Sequence, residues 1–289
     1  MKHTAAIGLT SLLLLSACST ENSTALEEET VETMTEGESE EENQNQTSED
    51  TTEAEETAED AEQDEESETV QEEERVEKLY ELNDVNWAVQ PIGEANPQVA
   101  LLTIDDAPDQ HAVQMANTLK ELDAKAIFFV NGHFLDTPEE EEMLKEIHEM
   151  GFPIGNHTYS HPNLRDISEE EQREEIVSLS DRVEEIIGER PKYFRAPFGA
   201  NTDFSKQVAI EEGMLLMNWT YGYDWEADYQ NAASLSDIMV NTEYLSNGAN
   251  LLMHDRSWTN EALPAIVEGL REKGYEILDP AAIKGTEVE

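Results

Sequence analysis

The 289-residue sequence has one cysteine, Cys18, and only 17 lysines and arginines against 67 aspartates and glutamates. A single cysteine excludes an intramolecular disulfide. It also excludes a cysteine-rich zinc site, so any metal must be held by histidine and carboxylate. The shortage of bases removes the cationic footprint that phosphate binding needs, so no nucleic-acid partner is expected. Large apolar side chains are almost missing between residues 19 and 74. No apolar run reaches the ~20 residues that cross a bilayer.

In place of apolar side chains the segment 19–74 has charge: 25 acids and no base. Such a segment buries too little surface to offset its ordering entropy and is expected to be a disordered, self-repelling acidic linker. From Arg75 onward 42 acids and 16 bases remain, a formal charge of −26. Self-repulsion of that kind favours a soluble monomer. Residues 1–18 read MKHTAAIGLTSLLLLSAC, a short basic start and a short apolar core. Leu15-Ser16-Ala17-Cys18 resembles the lipobox of bacterial lipoproteins. That resemblance implies a signal peptide over residues 1–18, a lipid on Cys18, and attachment to the extracellular face of a bacterial cell membrane. The expected organisation is signal peptide 1–18, linker 19–74 and one folded domain 75–289, with a joining helix over 72–82.

From Val99 onward, strand-like and helix-like segments alternate. Strands are expected over 99–105, 125–131, 153–158, 193–197, 215–220, 250–255 and 275–278. Most are short apolar runs, as a sheet buried on both faces requires. Val113, Ala116, Leu119 and Leu122 repeat at helical spacing over 112–122. Pro138 opens a helix that stops at Gly151. Ser168 with Glu171 reads as a capping box before a helix running to Gly188. Further helices are expected over 204–212, 234–245 and 260–273. This alternation argues for an α/β fold with a parallel sheet, and about seven units fit a closed (β/α) barrel better than an open doubly wound sheet, which the sequence alone does not exclude.

Chemistry in such a barrel lies at the C-terminal ends of the strands. Asp105 and Asp106 end the first expected strand, and His157 and His161 follow the third. Arg195 ends the fourth, Asp224 lies past the fifth, and His254 with Asp255 ends the sixth. Adjacent carboxylates point in different directions, so one can ligate a metal while its neighbour takes a proton from water. His157 and His161, four apart, share a side if the turn between them is helical. One carboxylate and two imidazoles also serve non-haem iron oxygenases, so donor types alone leave the metal open. Asp224 is a candidate ion-pair partner for Arg195. Pro197 shapes a turn that can present the Phe198 N–H to a ligand. Trp225 is either a platform for a sugar methyl group or a core residue. His3, His111, His133 and His148 have no partner pattern.

This set resembles the NodB-homology polysaccharide deacetylases, carbohydrate esterase family four, over residues 97–280. Five motifs stand in order: Thr103-Ile104-Asp105-Asp106, His157-Thr158-Tyr159-Ser160-His161-Pro162, Arg195-Ala196-Pro197-Phe198-Gly199, Asp224-Trp225 and Leu252-Met253-His254. The resemblance implies a distorted barrel of seven or eight strands. It implies Asp105 as general base and Asp106, His157 and His161 as ligands of one divalent metal ion, zinc first, with cobalt, manganese or nickel as alternatives. It implies His254 as general acid, Arg195 and Asp224 as the pair orienting the base, the Phe198 N–H as an oxyanion donor, and Leu252 and Trp225 as walls of an acetyl pocket. Ala107 stands where the family usually has glycine; if that position needs positive φ, its methyl group would restrict the loop after Asp106. The implied activity is N-deacetylation of an acetylated polysaccharide, with peptidoglycan the first candidate. An O-acetyl esterase acting on xylan-type glycans and a non-catalytic sugar-binding lipoprotein remain as rivals. A metal-dependent oxygenase is disfavoured by the α/β alternation.

Overall fold

The computed structural model describes residues 76–285. The signal peptide, Cys18 and the acidic linker lie outside the described residues. No helix among the described residues is long and apolar enough to cross a membrane.

Seven parallel strands form the main sheet: β3 (Val99–Ala107), β4 (Ile127–Val130), β5 (Ile154–Asn156), β6 (Tyr193–Phe194), β7 (Leu215–Leu216), β8 (Ala249–His254) and β9 (Glu276–Ile277). Their order is β7-β6-β5-β4-β3-β8, with β9 paired to the start of β3. Six helices connect them: α1 (Ala112–Glu121), α2 (Pro138–Glu149), α3 (Glu169–Ile187), α4 (Asp203–Glu211), α5 (Ala232–Asn241) and α6 (Ser257–Glu272). The sheet curls, and an irregular segment spans the gap between its two ends. The chain after β7 leaves β6 and turns to β8, where Tyr221 bridges Leu251 and the Leu252 N–H donates to the Tyr221 carbonyl. All seven strands and all six helices expected from Val99 onward are present, as a distorted barrel closed by one irregular segment.

Side-chain alternation on β3 explains how this architecture builds a site. Val99 and Leu101 point inward, into a cluster with Ile127, Phe129, Tyr193 and Met217. Ala100, Leu102 and Ile104 point outward, into the layer packed by the helices. With a period of two, Thr103 and Asp105 inherit the inward direction. The inside of β3 is therefore apolar at its start and polar where the strand ends.

The helix ends follow their sequence signals. Ser168 and Glu171 form the reciprocal capping box that starts α3, and Gly188 ends it in the left-handed conformation, φ 78°. Thr137 and Glu140 cap α2 in the same way. Asp255, just after β8, accepts the backbone N–H groups of Asp109, His111 and Ala112 at 2.7, 2.7 and 3.0 Å. It fastens the loop after Asp106 and the start of α1 to the end of β8. Hydrogen bonds to a charged acceptor contribute about 1.5–3 kcal/mol each.

The expected joining helix over 72–82 is corrected where the structure describes it. Residues 76–79 are not helical, and β1 (Tyr80–Leu82) pairs antiparallel with β2 (Val89–Pro91). The glutamate-rich approach reads as helix, but Tyr80 and Val89 are drawn under the barrel, where they pack against Val99, Leu101 and Ile283. Burial of those side chains overrides the local preference. This hairpin covers the end of the barrel opposite the strands' C-terminal ends.

Candidate active site

Arg195, at the end of β6, is fully buried and reaches across the barrel interior. Its Nη1 donates to Asp105 Oδ1 at 2.6 Å and to Thr103 Oγ1 at 2.8 Å, its Nη2 donates to the Asn218 carbonyl at 2.9 Å, and its guanidinium lies 4.2 Å from the Phe129 ring centroid. A charge taken this far from water needs a counter-charge at contact distance, and Asp105 supplies it. One oxygen of Asp105 is consumed. The other, Oδ2, lies 3.5 Å from His157 Nε2 and faces the cavity.

Strict alternation would send Asp106 outward with Ile104, but its backbone is left-handed, φ 58°, and its side chain lines the same cavity as Asp105. Its Oδ1 lies 3.5 Å from His161 Nε2 and 3.9 Å from His157 Nε2. Ligand atoms of Asp106, His157 and His161 all fall within 4.8 Å of one another. The His157 Nδ1 lies 2.7 Å from the Arg195 carbonyl. A carbonyl only accepts, so Nδ1 carries the proton and Nε2 keeps its lone pair for a ligand. Burial pulls the His157 pKa below the ordinary imidazole value against the pull of Asp105 and Asp106. Burial, then the neighbouring His157, does the same to His161. Burial raises the Asp106 carboxyl, but His157, His254, His161 and Arg256 outweigh it and hold the group below its ordinary value. An anionic oxygen and two neutral imidazole nitrogens converging on one point fit a single divalent ion.

Two expectations about this loop are corrected. His157 and His161 converge without a helical turn: residues 157–161 are irregular, with Thr158 and His161 at φ 68° and 60°. Ala107 does not occupy a positive-φ position. It continues β3 and is buried among apolar side chains, so its methyl group strains nothing; Asp106 carries the unusual backbone angle.

Arg195 does not pair with Asp224. Asp224 is fully buried beside β8, where Oδ1 lies 2.7 Å from His254 Nδ1. Its Oδ2 accepts the His254 N–H at 2.6 Å and the Thr259 hydroxyl at 2.8 Å. The closing contact of the barrel explains this, because Tyr221 beside Leu251 carries Asp224 to the end of β8. Two separate charge pairs result, Arg195–Asp105 and His254–Asp224. Burial disfavours the His254 cation, but the hydrogen bond and charge of Asp224, with Asp105 and Asp106 beyond, raise its pKa above the ordinary imidazole value.

Asp105, Asp106, His157, His161, Asp224 and His254 line one cavity of about 640 Å³ with Phe198, Trp219, Trp225, Leu252 and Arg256. Trp225 is 46% exposed and meets the His254 ring edge-on at 5.6 Å, so it is a cavity wall and not a core residue. Phe198, in the turn after β6, is 68% exposed and stacks edge-on with His161 at 4.9 Å. Leu252 is buried in the wall. Sequence reasoning missed Trp219 and Arg256. Arg256 had a signal, since it stands two residues past His254 at a strand end.

A peptidoglycan-N-acetylglucosamine deacetylase of Bacillus cereus is 32% identical over 189 residues, which cover 62% of this chain and 68% of that protein. The chain belongs to the polysaccharide deacetylase family. The family model, described as polysaccharide deacetylase, matches residues 92–217. That match contains Asp105, Asp106, His157, His161, Arg195 and Phe198 but stops before Asp224 and His254, which the fold itself brings to the site. Among solved structures, the peptidoglycan deacetylase PdaC of Bacillus subtilis matches with TM-score 0.56 and 29% identity, over 63% of this chain and 89% of that one. A carbohydrate esterase family 4 pseudoenzyme from Bacillus anthracis matches with TM-score 0.57 and 29% identity, over 64% of each chain. The chain spans 58% and 66% of the length of two other curated relatives, an uncharacterized protein of Bacillus subtilis and a second Bacillus cereus deacetylase. Since the deacetylase fold is shared by active and inactive proteins, activity has to be argued from this chain's own side chains.

Proposed function

We propose that this protein is a metal-dependent N-deacetylase of a cell-wall polysaccharide, with peptidoglycan N-acetylglucosamine as its first substrate. The observation that carries the reading is the convergence, around one cavity, of a carboxylate oxygen, a three-ligand cluster and a buried carboxylate–histidine pair. Hydrolysis of an acetamide needs an activated water, a stabilised oxyanion and a proton for the departing amine, and each has a candidate group here.

A divalent ion held by Asp106, His157 and His161, zinc in the first place, would supply a polarising charge for the acetyl carbonyl and acidify a water. Cobalt, manganese and nickel suit the same donors. Asp105 takes the water's proton on Oδ2, because Arg195 already holds Oδ1 and leaves Oδ2 to the cavity. The Phe198 N–H, in the turn after β6, donates to the oxyanion. His254 is oriented through Nδ1 by Asp224 and passes a proton from Nε2 to the sugar nitrogen as the C–N bond breaks. Acetate and a free amine leave. Trp225 and Leu252 enclose the acetyl methyl group. The test is acetate release from peptidoglycan, chitin oligomers and acetylated xylan side by side, with and without chelator. Release from xylan alone would make it an esterase, and no release from any would support a binding role.

We further propose that a lipid on Cys18 holds this domain at the outer face of the cell membrane, with residues 19–74 as the spacer. The lipobox-like ending supports it, and a monomer is sufficient. Cys18→Ala is expected to move the protein from the membrane fraction to the medium with unchanged specific activity. Retention of the variant in membranes after a carbonate wash would refute the anchor.

A further inference from the structure

The two adjacent aspartates are each gripped by a different arginine. Arg195 holds Oδ1 of Asp105 from inside the barrel and leaves Oδ2 to the cavity. Arg256, at the start of α6, donates from Nη2 to Oδ2 of Asp106 at 2.8 Å and leaves Oδ1 facing His157 and His161. Arg256 is itself held, since its Nη1 donates to the Asp255 carbonyl at 3.0 Å, and Asp255 is the residue that fastens the loop after Asp106. A closed circuit thus runs from β8 through the guanidinium to Asp106 and back through its loop. It has a chemical consequence. A carboxylate on a solvent-facing strand end can turn and offer either oxygen or both to a cation. With one oxygen taken by a guanidinium, only the other is offered, and its direction is fixed.

We propose that Arg256 is a positioning residue of the metal site: it occupies Oδ2 of Asp106 and so presets that side chain as a one-oxygen ligand aimed at the point shared with His157 and His161. The inference rests on reading those three residues as the metal site. It differs from a charge effect in sign. A guanidinium that acted only as a nearby cation would repel a divalent ion, and its removal would tighten binding. A guanidinium that orients the ligand makes binding tighter, and its removal weakens it.

The experiment is calorimetric titration of Zn²⁺ into the chelator-stripped full chain, for the parent, Arg256→Met, Arg256→Lys and His157→Ala. Loss of an outer partner of a metal ligand typically costs about 10–100-fold in affinity, which is the weakening expected for Arg256→Met. Arg256→Lys keeps a cationic N–H donor of similar reach and is expected to recover most of that loss. Melting of the stripped proteins is expected to coincide, because Arg256 is 36% exposed and such pairs contribute little to folding. Binding by Arg256→Met as tight as the parent, or tighter, overturns the proposal, as does an Arg256→Lys variant no better than Arg256→Met. A marked fall in melting temperature for Arg256→Met would assign the residue to the fold instead. A parent that takes up zinc no better than His157→Ala would remove the metal-site reading itself, a result distinct from the others.

Discussion

His157→Ala and His161→Ala are expected to lose bound metal and turnover together, whereas Asp105→Asn loses turnover and keeps the metal. The difference follows from which atoms face which. The histidine nitrogens and Asp106 Oδ1 form the cluster, and removing one of three donors leaves too few for tight binding. Asp105 adjoins that cluster but is committed to Arg195 through Oδ1. In Asp105→Asn the amide oxygen takes over the Arg195 bond, which turns the NH2 group toward His157 Nε2, now 3.5 Å from Oδ2. That new donor competes weakly for the nitrogen lone pair. A neutral hydrogen bond is worth about 0.5–1.5 kcal/mol, so zinc affinity falls by no more than roughly tenfold. The proton acceptor is lost outright, and general base catalysis is worth about 10²–10⁴ in rate. Asp105→Asn also leaves the buried Arg195 without its counter-charge, so a lower melting temperature is expected and the folded fraction has to be checked. Metal analysis of the three purified variants decides the matter. Equal metal loss in all of them would collapse the division between base and ligand.

How far this site could be read from the sequence depends on what kind of contact each residue makes. Strand ends are legible because burial on both faces leaves short apolar runs, and a charged residue marks where each run stops. Asp105, His157, Arg195 and His254 were found in that way, and the capping box at Ser168 and Glu171 was visible because both partners lie within one turn. Pairing across the barrel was not legible. Asp224 and Arg195 both stand near the site in sequence, which suggests a pair, but sequence order does not say that the segment after β7 crosses to β8 and delivers Asp224 to His254. Nor does it say that Arg195 spans the interior to Thr103 and Asp105, an inward path set by the period-two alternation of β3. The hairpin of β1 and β2 was hidden for a different reason. Its strands have three residues each and depend on packing under the barrel for their stability, with no periodic signal of their own. Backbone angles at Asp106, Thr158, His161 and Phe198 were equally hidden, since none is glycine. Left-handed non-glycine residues are costly and persist where surrounding contacts hold them, and these four lie at the end of β3 and in the loops that build the site.

His254→Ala is expected to lower turnover on a sugar acetamide far more than on an activated aryl acetate. The reason is the leaving group. An amine expelled as an anion is prohibitively basic, so the C–N bond breaks only as nitrogen gains a proton. A nitrophenolate departs without one. The Asp224 carboxylate binds Nδ1 and keeps the second ring nitrogen free to present a proton to the cavity. General acid catalysis is typically worth about 10²–10⁴, and the two substrates should diverge by a large part of that factor. Asp105, the three ligands and the Phe198 N–H serve both substrates, so their loss harms both. The pH profile supplies an independent check. Burial opposes the imidazolium, and Asp224 outweighs it, so the folded protein retains the proton to higher pH than a free imidazole would. Acid function is present below that raised pKa and is lost as pH rises through it. Asp224→Asn removes the hydrogen-bonded charge but leaves burial in place, so the alkaline limb of acetamide turnover should move to lower pH. The same limb should be absent from aryl acetate turnover in the parent. Both comparisons need matched metal content, because His254 influences Asp106 directly. Equal losses on the two substrates, or an alkaline limb that ignores Asp224, would leave His254 as a wall of the pocket and require another proton donor.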